Sequence, residues 1–206
     1  MSQILVITAS PRGERSVSRA LTTNFAYEWA KFHPKDKILL RDIGHHPVPH
    51  VTEPWVVGAF APPDAQTDES RAAIAVSDQL LAEFLAADRF VFGVPMYNFN
   101  IPSTFKAYID QIVRAGKTFA VGPNGYEGLV KDKKALFITT SGGSYPHGSP
   151  MEVYNFQEPY LRTIFGFIGL TDIKFVGADS MNQGDDAAKL SREKAENSLK
   201  ELAANW

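Results

Sequence analysis

Five runs of this chain are nearly continuous in apolar residues: Gln3–Ala9, Asp36–Asp42, Arg89–Pro95, Lys134–Thr140 and Asp172–Gly177. A strand with one face in water alternates apolar and polar residues, so unbroken runs predict strands covered on both faces, as in a parallel sheet. The segments between them carry apolar residues at helical spacing. Leu21, Phe25, Trp29 and Phe32 share one stripe, and Ile74, Leu80, Leu81 and Phe84 a second. Phe105, Ile109, Ile112 and Val113 form a third, Leu161, Ile164, Phe165 and Ile168 a fourth, and Leu199, Leu202 and Trp206 the last. Five strand–helix repeats predict a doubly wound α/β sandwich, a five-stranded parallel sheet in the order 2-1-3-4-5 with helices on both faces.

At 206 residues and 44% hydrophobic content the chain supports one sizeable core, so residues 1–206 are expected to form a single domain. Two excursions interrupt the repeat. Residues 43–67 hold five prolines, three histidines and Trp55 and are expected to be a long functional loop; residues 116–130 read as a hairpin or lid, with Pro-Asn-Gly at 123–125 as its turn. The 21 basic and 23 acidic residues are interleaved and leave a net charge of -2, which offers no footprint for nucleic acid or an anionic membrane. Cysteine is absent, which removes thiolate chemistry and Cys-metal sites; no metal is expected. Met1-Ser2-Gln3 leads straight into the first run without a basic leader, and a cytoplasmic location is expected.

In an open α/β sheet ligands bind at the carboxyl ends of the strands, where the strand order reverses. The segments following runs one, three and four should therefore carry the chemistry. Run one is followed by Ser10-Pro11-Arg12-Gly13-Glu14-Arg15-Ser16-Val17-Ser18. Hydroxyls and backbone N–H groups gathered at a helix start suit a phosphate, although Ser16 or Ser18 could equally be an ordinary cap. Neither the nucleoside-triphosphate glycine pattern nor Gly-x-Gly-x-x-Gly is present, which leaves a mononucleotide phosphate. Run three ends in Pro95 and gives way to Met96, Tyr97, Asn98, Phe99 and Asn100, an apolar plane with hydrogen-bonding edges that fits a flat, heteroatom-rimmed ring. Run four is followed by Ser141, Gly142, Gly143, Ser144, Tyr145, Pro146 and His147, where paired glycines either let a backbone approach a ligand or simply make a loop.

These segments resemble the FMN-dependent NADH:quinone oxidoreductase and azoreductase family, a flavodoxin-like group. The resemblance rests on Ser10 with Ser16-Val17-Ser18, on Pro-Met-Tyr-Asn-Phe-Asn at 95–100 and on Arg114-Ala115-Gly116-Lys117-Thr118-Phe119. Gly125-Tyr126-Glu127-Gly128-Leu129 and Gly166-Phe167-Ile168-Gly169 also match, so the motifs run through nearly the whole chain. It implies a flavodoxin-like three-layer sandwich that holds FMN. Ser10, Ser16, Val17 and Ser18 would take the phosphate; Pro95, Met96, Tyr97, Asn98, Phe99, Ser141, Gly142 and Gly143 would hold the ring. NADH or NADPH would be the donor and planar quinones or azo compounds the acceptors, exchanged through one slot in ping-pong turnover. Donors near Asn98 and Phe99 would serve one edge of the ring, and Gly142, Gly143, Tyr145 or His147 the other, with His147 a candidate proton donor. Phe119, Trp55 and Phe165 are candidate pocket walls, and a homodimer with its site at the interface is implied. The chain departs from the family at Val17, where Gln is common, and at Gly142, where Arg is common. A flavodoxin-type electron carrier is the alternative, although such carriers are strongly acidic. A phosphoacceptor receiver needs acidic residues after runs one and three and is excluded.

Overall fold

A computed structural model describes residues 1–123 and 125–206. The elements run β1 (Gln3–Thr8), α1 (Val17–Phe32), β2 (Lys37–Asp42), α2 (Glu53–Phe60), α3 (Asp68–Ala86), β3 (Arg89–Pro95) and α4 (Ser103–Ile112). After these come β4 (Phe119–Gly122), β5 (Gly125–Gly128), β6 (Lys134–Thr140), α5 (Gln157–Phe167), β7 (Asp172–Ala178) and α6 (Asp185–Asn205). The main sheet is wholly parallel in the order β2-β1-β3-β6-β7, the expected 2-1-3-4-5 counted over its own strands.

Alternate residues of the inner strands feed two separate cores. Leu5 and Ile7 of β1, Phe90 and Phe92 of β3 and Phe137 of β6 face α3, α4 and α5. Ile4 and Val6, Val91, and Leu136 and Ile138 face α1 and α6. Helices therefore cover both faces of β1, β3 and β6. The outer strands differ from the expectation of full cover: β2 and β7 are half-exposed along much of their length, because an edge strand has one neighbour and less helix above it. Phe32 also leaves its stripe and is exposed as the last residue of α1, whereas Trp206 packs edge-on against Phe25 and Trp29.

Residues 43–67 are not simply a loop. Thr52 caps α2 by accepting a hydrogen bond from Trp55 N at 3.4 Å, and Pro54 stands in its first turn, where a proline costs no hydrogen bond. Pro54 and Gly58 look like breakers in the sequence; Gly58 is instead required by close packing, since a Cβ there would lie 2.5 Å from the Ser70 carbonyl oxygen. Within residues 116–130, β4 pairs antiparallel with β5. The expected Pro-Asn-Gly turn includes position 124, which lies outside the described residues.

Candidate functional site

The chain leaves β1 at Thr8 and re-enters helix at Val17. Ser16 caps α1, its Oγ accepting from Arg19 N at 3.3 Å and lying 3.3 Å from Ser18 Oγ. Ser10 Oγ accepts from Arg12 N at 3.2 Å. All three serines are buried, yet they line a cavity of about 240 Å³ with Arg12 and Val17. Among the described residues the N–H groups of Val17 and Ser18 have no protein acceptor, as expected of a first helical turn. Buried hydroxyls, open N–H donors and the positive end of a 16-residue helix thus converge with a guanidinium on one volume. Capping does not take Ser16 out of the cavity: it caps α1 and, with Ser10 and Ser18, also lines that volume.

The end of β3 is fixed from three sides. Met96 N donates to Thr140 O at 2.6 Å, the buried Gln157 Nε2 donates to Val94 O at 3.1 Å, and Phe156 N donates to Phe99 O at 3.1 Å. Tyr97 and Asn100 exchange two backbone hydrogen bonds of 2.8 and 3.0 Å, which forces Asn98 (φ 47°) and Phe99 (φ 66°) into the left-handed region. Asparagine tolerates that conformation; for phenylalanine it costs on the order of 1 kcal/mol. The strain presents an unpaired edge: among the described residues neither Asn98 N–H nor Phe99 N–H has a protein acceptor. Phe99 is partly exposed, edge-on to Tyr145 at 6.0 Å and tilted against Tyr154 at 5.1 Å.

A second cavity of about 420 Å³ lies against Met96, Asn98, Phe99, Gly143 and Tyr145. It shares Met96, Gly142 and Asn182 with the first cavity, so the two adjoin as one trough along the carboxyl edge of β1, β3 and β6. The loop after β7 clamps the glycines: Met181 N donates to Ser141 O at 3.1 Å, Asn182 N to Gly142 O at 2.9 Å and Ser180 N to Gly143 O at 3.3 Å. A Cβ on residue 142 would sit 2.5 Å from Asn182 Nδ2, and one on residue 143 would sit 2.9 Å from the Tyr145 hydroxyl. A side chain at position 142 has no room here while Asn182 keeps its place.

The trough brings together Ser10, Ser16, Val17, Ser18, Pro95, Met96, Tyr97, Asn98, Phe99, Ser141, Gly142, Gly143 and Tyr145. It does not bring in His147, whose side chain is 96% exposed and pairs with Glu152; that carboxyl is held below its usual range by Gly148 N–H and by His147. Nor does it take Phe165, which is 1% exposed and packs on Phe92 and Phe137 at 5.0 Å, so it belongs to the core rather than to a pocket wall. Trp55 and Phe119 share a different cavity of about 450 Å³ with Phe60, Arg114 and Tyr160. Trp55 is anchored there by its indole N–H, which donates to Gln111 Oε1 at 2.7 Å, and burial with nearby Asp110 pushes the Tyr160 hydroxyl up to about 12. Arg12, Thr140, Met181 and Asn182 line the trough without having been expected. The signal for the last two was the polar stretch Asp179–Gln183 following run five at the same edge of the sheet.

Among the described residues no group of His, Asp and Glu is placed to hold a metal ion, and no helix is long and apolar enough to cross a membrane. A parallel sheet in this order, with a helix start and a glycine loop enclosing a trough at its switch point, defines a flavodoxin-like mononucleotide-binding protein. The family model for the flavodoxin-like fold matches residues 2–203. Over 207 aligned positions the chain is 58% identical to the FMN-dependent NADH:quinone oxidoreductase 2 of Trichormus variabilis, covering 100% of both chains. The crystal structure of azoreductase from Bacillus anthracis superposes with a TM-score of 0.93 at 32% identity, with 100% of both chains covered. A B. anthracis FMN-dependent NADH-azoreductase in complex with FMN gives 0.88 at 26% identity, covering 98% of this chain and 100% of that one. The chain belongs to the FMN-dependent NADH:quinone oxidoreductase family of the flavodoxin-like fold.

Proposed function

We propose that this protein is an FMN-dependent reductase that accepts two electrons from NADH or NADPH and passes them to quinones and azo compounds. The observation that carries this is the trough itself, which has phosphate chemistry at one end and an apolar, donor-edged surface at the other. FMN fits those residues. Ser10, Ser16 and Ser18 offer hydroxyls to the phosphate, Val17 and Ser18 offer N–H groups, and Arg12 supplies the one cationic side chain lining that cavity among the described residues. Pro95, Met96, Tyr97 and Phe99 offer apolar surface to the ring, while Asn98, Phe99, Gly142 and Gly143 bring backbone donors to its rim.

When bound, FMN supplies the two-electron chemistry that no protein side chain can. The protein's share is orientation and charge: N–H groups fixed before the reaction stabilise negative charge developing on a ring at no cost of rearrangement. A shallow slot bordered by Phe99, Tyr145 and Tyr154 has few polar reading groups, which accounts for acceptors as unlike as quinones and azo compounds. Donor and acceptor use that one slot in turn, and turnover is ping-pong.

Two copies form the working unit, each a single flavodoxin-like domain in the cytoplasm. Support comes from the 450 Å³ cavity of Trp55 and Phe119, where Phe60 is strongly exposed, and from Val121 and Tyr126, which pair across the β4–β5 hairpin and are strongly exposed too. Large apolar side chains gathered on α2 and the β4–β5 hairpin mark a surface that another chain covers. On this reading Trp55 and Phe119 serve the interface rather than their own chain's trough.

Steady-state oxidation of NADH with a quinone as acceptor tests the proposal. The protein should purify yellow or bind added FMN, turn over without another protein, and give parallel double-reciprocal lines when both substrates are varied. Turnover only in the presence of a partner enzyme would make it an electron carrier instead.

A further inference from the structure

We infer that Arg19, locked by Asp42, is a positioning residue that sets the shape of the phosphate-binding loop and, through it, the affinity for the phosphate of FMN. The inference rests on the FMN assignment above. Arg19 stands in the first turn of α1, where a cation opposes the helix dipole. Its charge is met at once: Nη1 donates to Asp42 Oδ2 at 2.6 Å and Nη2 to Asp42 Oδ1 at 2.9 Å, a two-pronged pair reaching from α1 to the end of β2. Burial alone would raise the Asp42 carboxyl, but the hydrogen bonds from Arg19 and from His45 N–H hold it well below the usual range.

The donors left over are spent on the loop. Nη2 donates to the Ser10 carbonyl at 2.6 Å, Nε to the Arg12 carbonyl at 3.2 Å and Nη1 to Thr8 Oγ1 at 3.1 Å. Ser10 and Arg12 are the two residues between β1 and α1 whose side chains enter the phosphate cavity ahead of the cap. One guanidinium therefore grips the main chain of both, while lining neither cavity of the trough itself. Asp42 extends the grip by accepting from Gly44 N at 3.1 Å and His45 N at 3.2 Å, so that the loop after β2 backs the loop after β1. A lysine keeps the charge but has no planar fork with which to reach two carbonyls and a carboxylate together. Because Asp42 already neutralises it, Arg19 acts by geometry and not as a phosphate-binding charge.

The test compares FMN with riboflavin, which has the same ring and no phosphate, by flavin fluorescence titration of apoprotein carrying Arg19→Gln, Arg19→Lys or Asp42→Asn. Wild-type protein should bind FMN more tightly than riboflavin. Loss of charge-assisted hydrogen bonds to the loop should weaken FMN about tenfold or more in Arg19→Gln and Arg19→Lys, leaving riboflavin within about twofold. Asp42→Asn should weaken FMN in the same direction. Equal loss of FMN and riboflavin, or no loss of FMN, would overturn the proposal, and tighter FMN binding by Asp42→Asn would show that Arg19 acts as a charge. Should Arg19→Gln fail to fold, Arg19→Lys and Asp42→Asn decide the matter by the same comparison. Wild-type protein that binds neither flavin would overturn the cofactor assignment itself.

Discussion

Replacing Gly44 by alanine is expected to strip the protein of its flavin. Gly44 packs directly behind the loop between β1 and α1, and a Cβ there would lie 2.0 Å from the Ser10 carbonyl oxygen and 2.4 Å from its carbon. Both are backbone atoms, so no rotamer can relieve the contact; the loop must move by more than 1 Å to reach van der Waals distance, about 3.5 Å between heavy atoms. Movement on that scale breaks the 2.6 Å bond from Arg19 Nη2 to Ser10 O and carries Ser10 out of the cavity it lines. Overpacking of this kind costs about 1–3 kcal/mol of stability. A comparable loss of binding energy lowers FMN affinity on the order of 100-fold, at 1.4 kcal/mol per tenfold. FMN titration and a thermal melt of the variant check both effects. Flavin affinity within a few-fold of wild type would mean that the loop after β2 does not support the site.

The second large effect belongs to Phe92. Its ring is fully buried at the centre of β3, within 4.9 Å of Phe137, 5.0 Å of Phe165 and 5.5 Å of Phe105. Phe92→Ala removes the ring on which residues from β6, α4 and α5 meet, and truncation at such a position costs about 3–5 kcal/mol. Against a total stability of about 5–15 kcal/mol that is a large fraction. The denaturant midpoint should fall with little change in slope. Phe92→Leu, which refills most of the volume, should recover much of the loss. The consequence for function is indirect: β3 carries Pro95 and Met96 at its end, so flavin retention should fail at lower temperature in Phe92→Ala while affinity in the cold is nearly preserved. A midpoint shift equivalent to less than about 1 kcal/mol, below the usual range for buried aromatic truncation, would contradict the packing described.

Local chemistry made the sheet legible. Runs such as Arg89–Pro95 are apolar because β3 is buried along nearly its whole length, and the observed strand coincides with the run. The same rule overstated β2, where Ile38 and Leu39 are half-buried and Leu40 is exposed at a sheet edge; periodicity records what a strand can bury, not how much neighbour it finds. Helix α2 was hidden by Pro54 and Gly58, whose roles depend on position in the first turn and on the Ser70 carbonyl. Within the site, Ser10 through Ser18 and Pro95 through Phe99 stood out because each is contiguous and follows a strand. Asn182 was not singled out, because its place in the trough depends on the loop after β7 folding against Gly142. The reverse happened with Trp55 and Phe165: both are aromatic and plausible as walls, and only tertiary packing sends one to a separate cavity and the other into the core.

Anaerobic mixing of the FMN-loaded protein with one equivalent of NADH shows whether the trough holds FMN and whether one slot passes electrons from NADH to a planar acceptor. Flavin absorbance should bleach at a rate sufficient for turnover before any acceptor is present, and a quinone added afterwards should restore it with no other protein in the mixture. Protein that retains no FMN, or that bleaches only when a quinone is already bound, is not a reductase that serves donor and acceptor in turn through one slot.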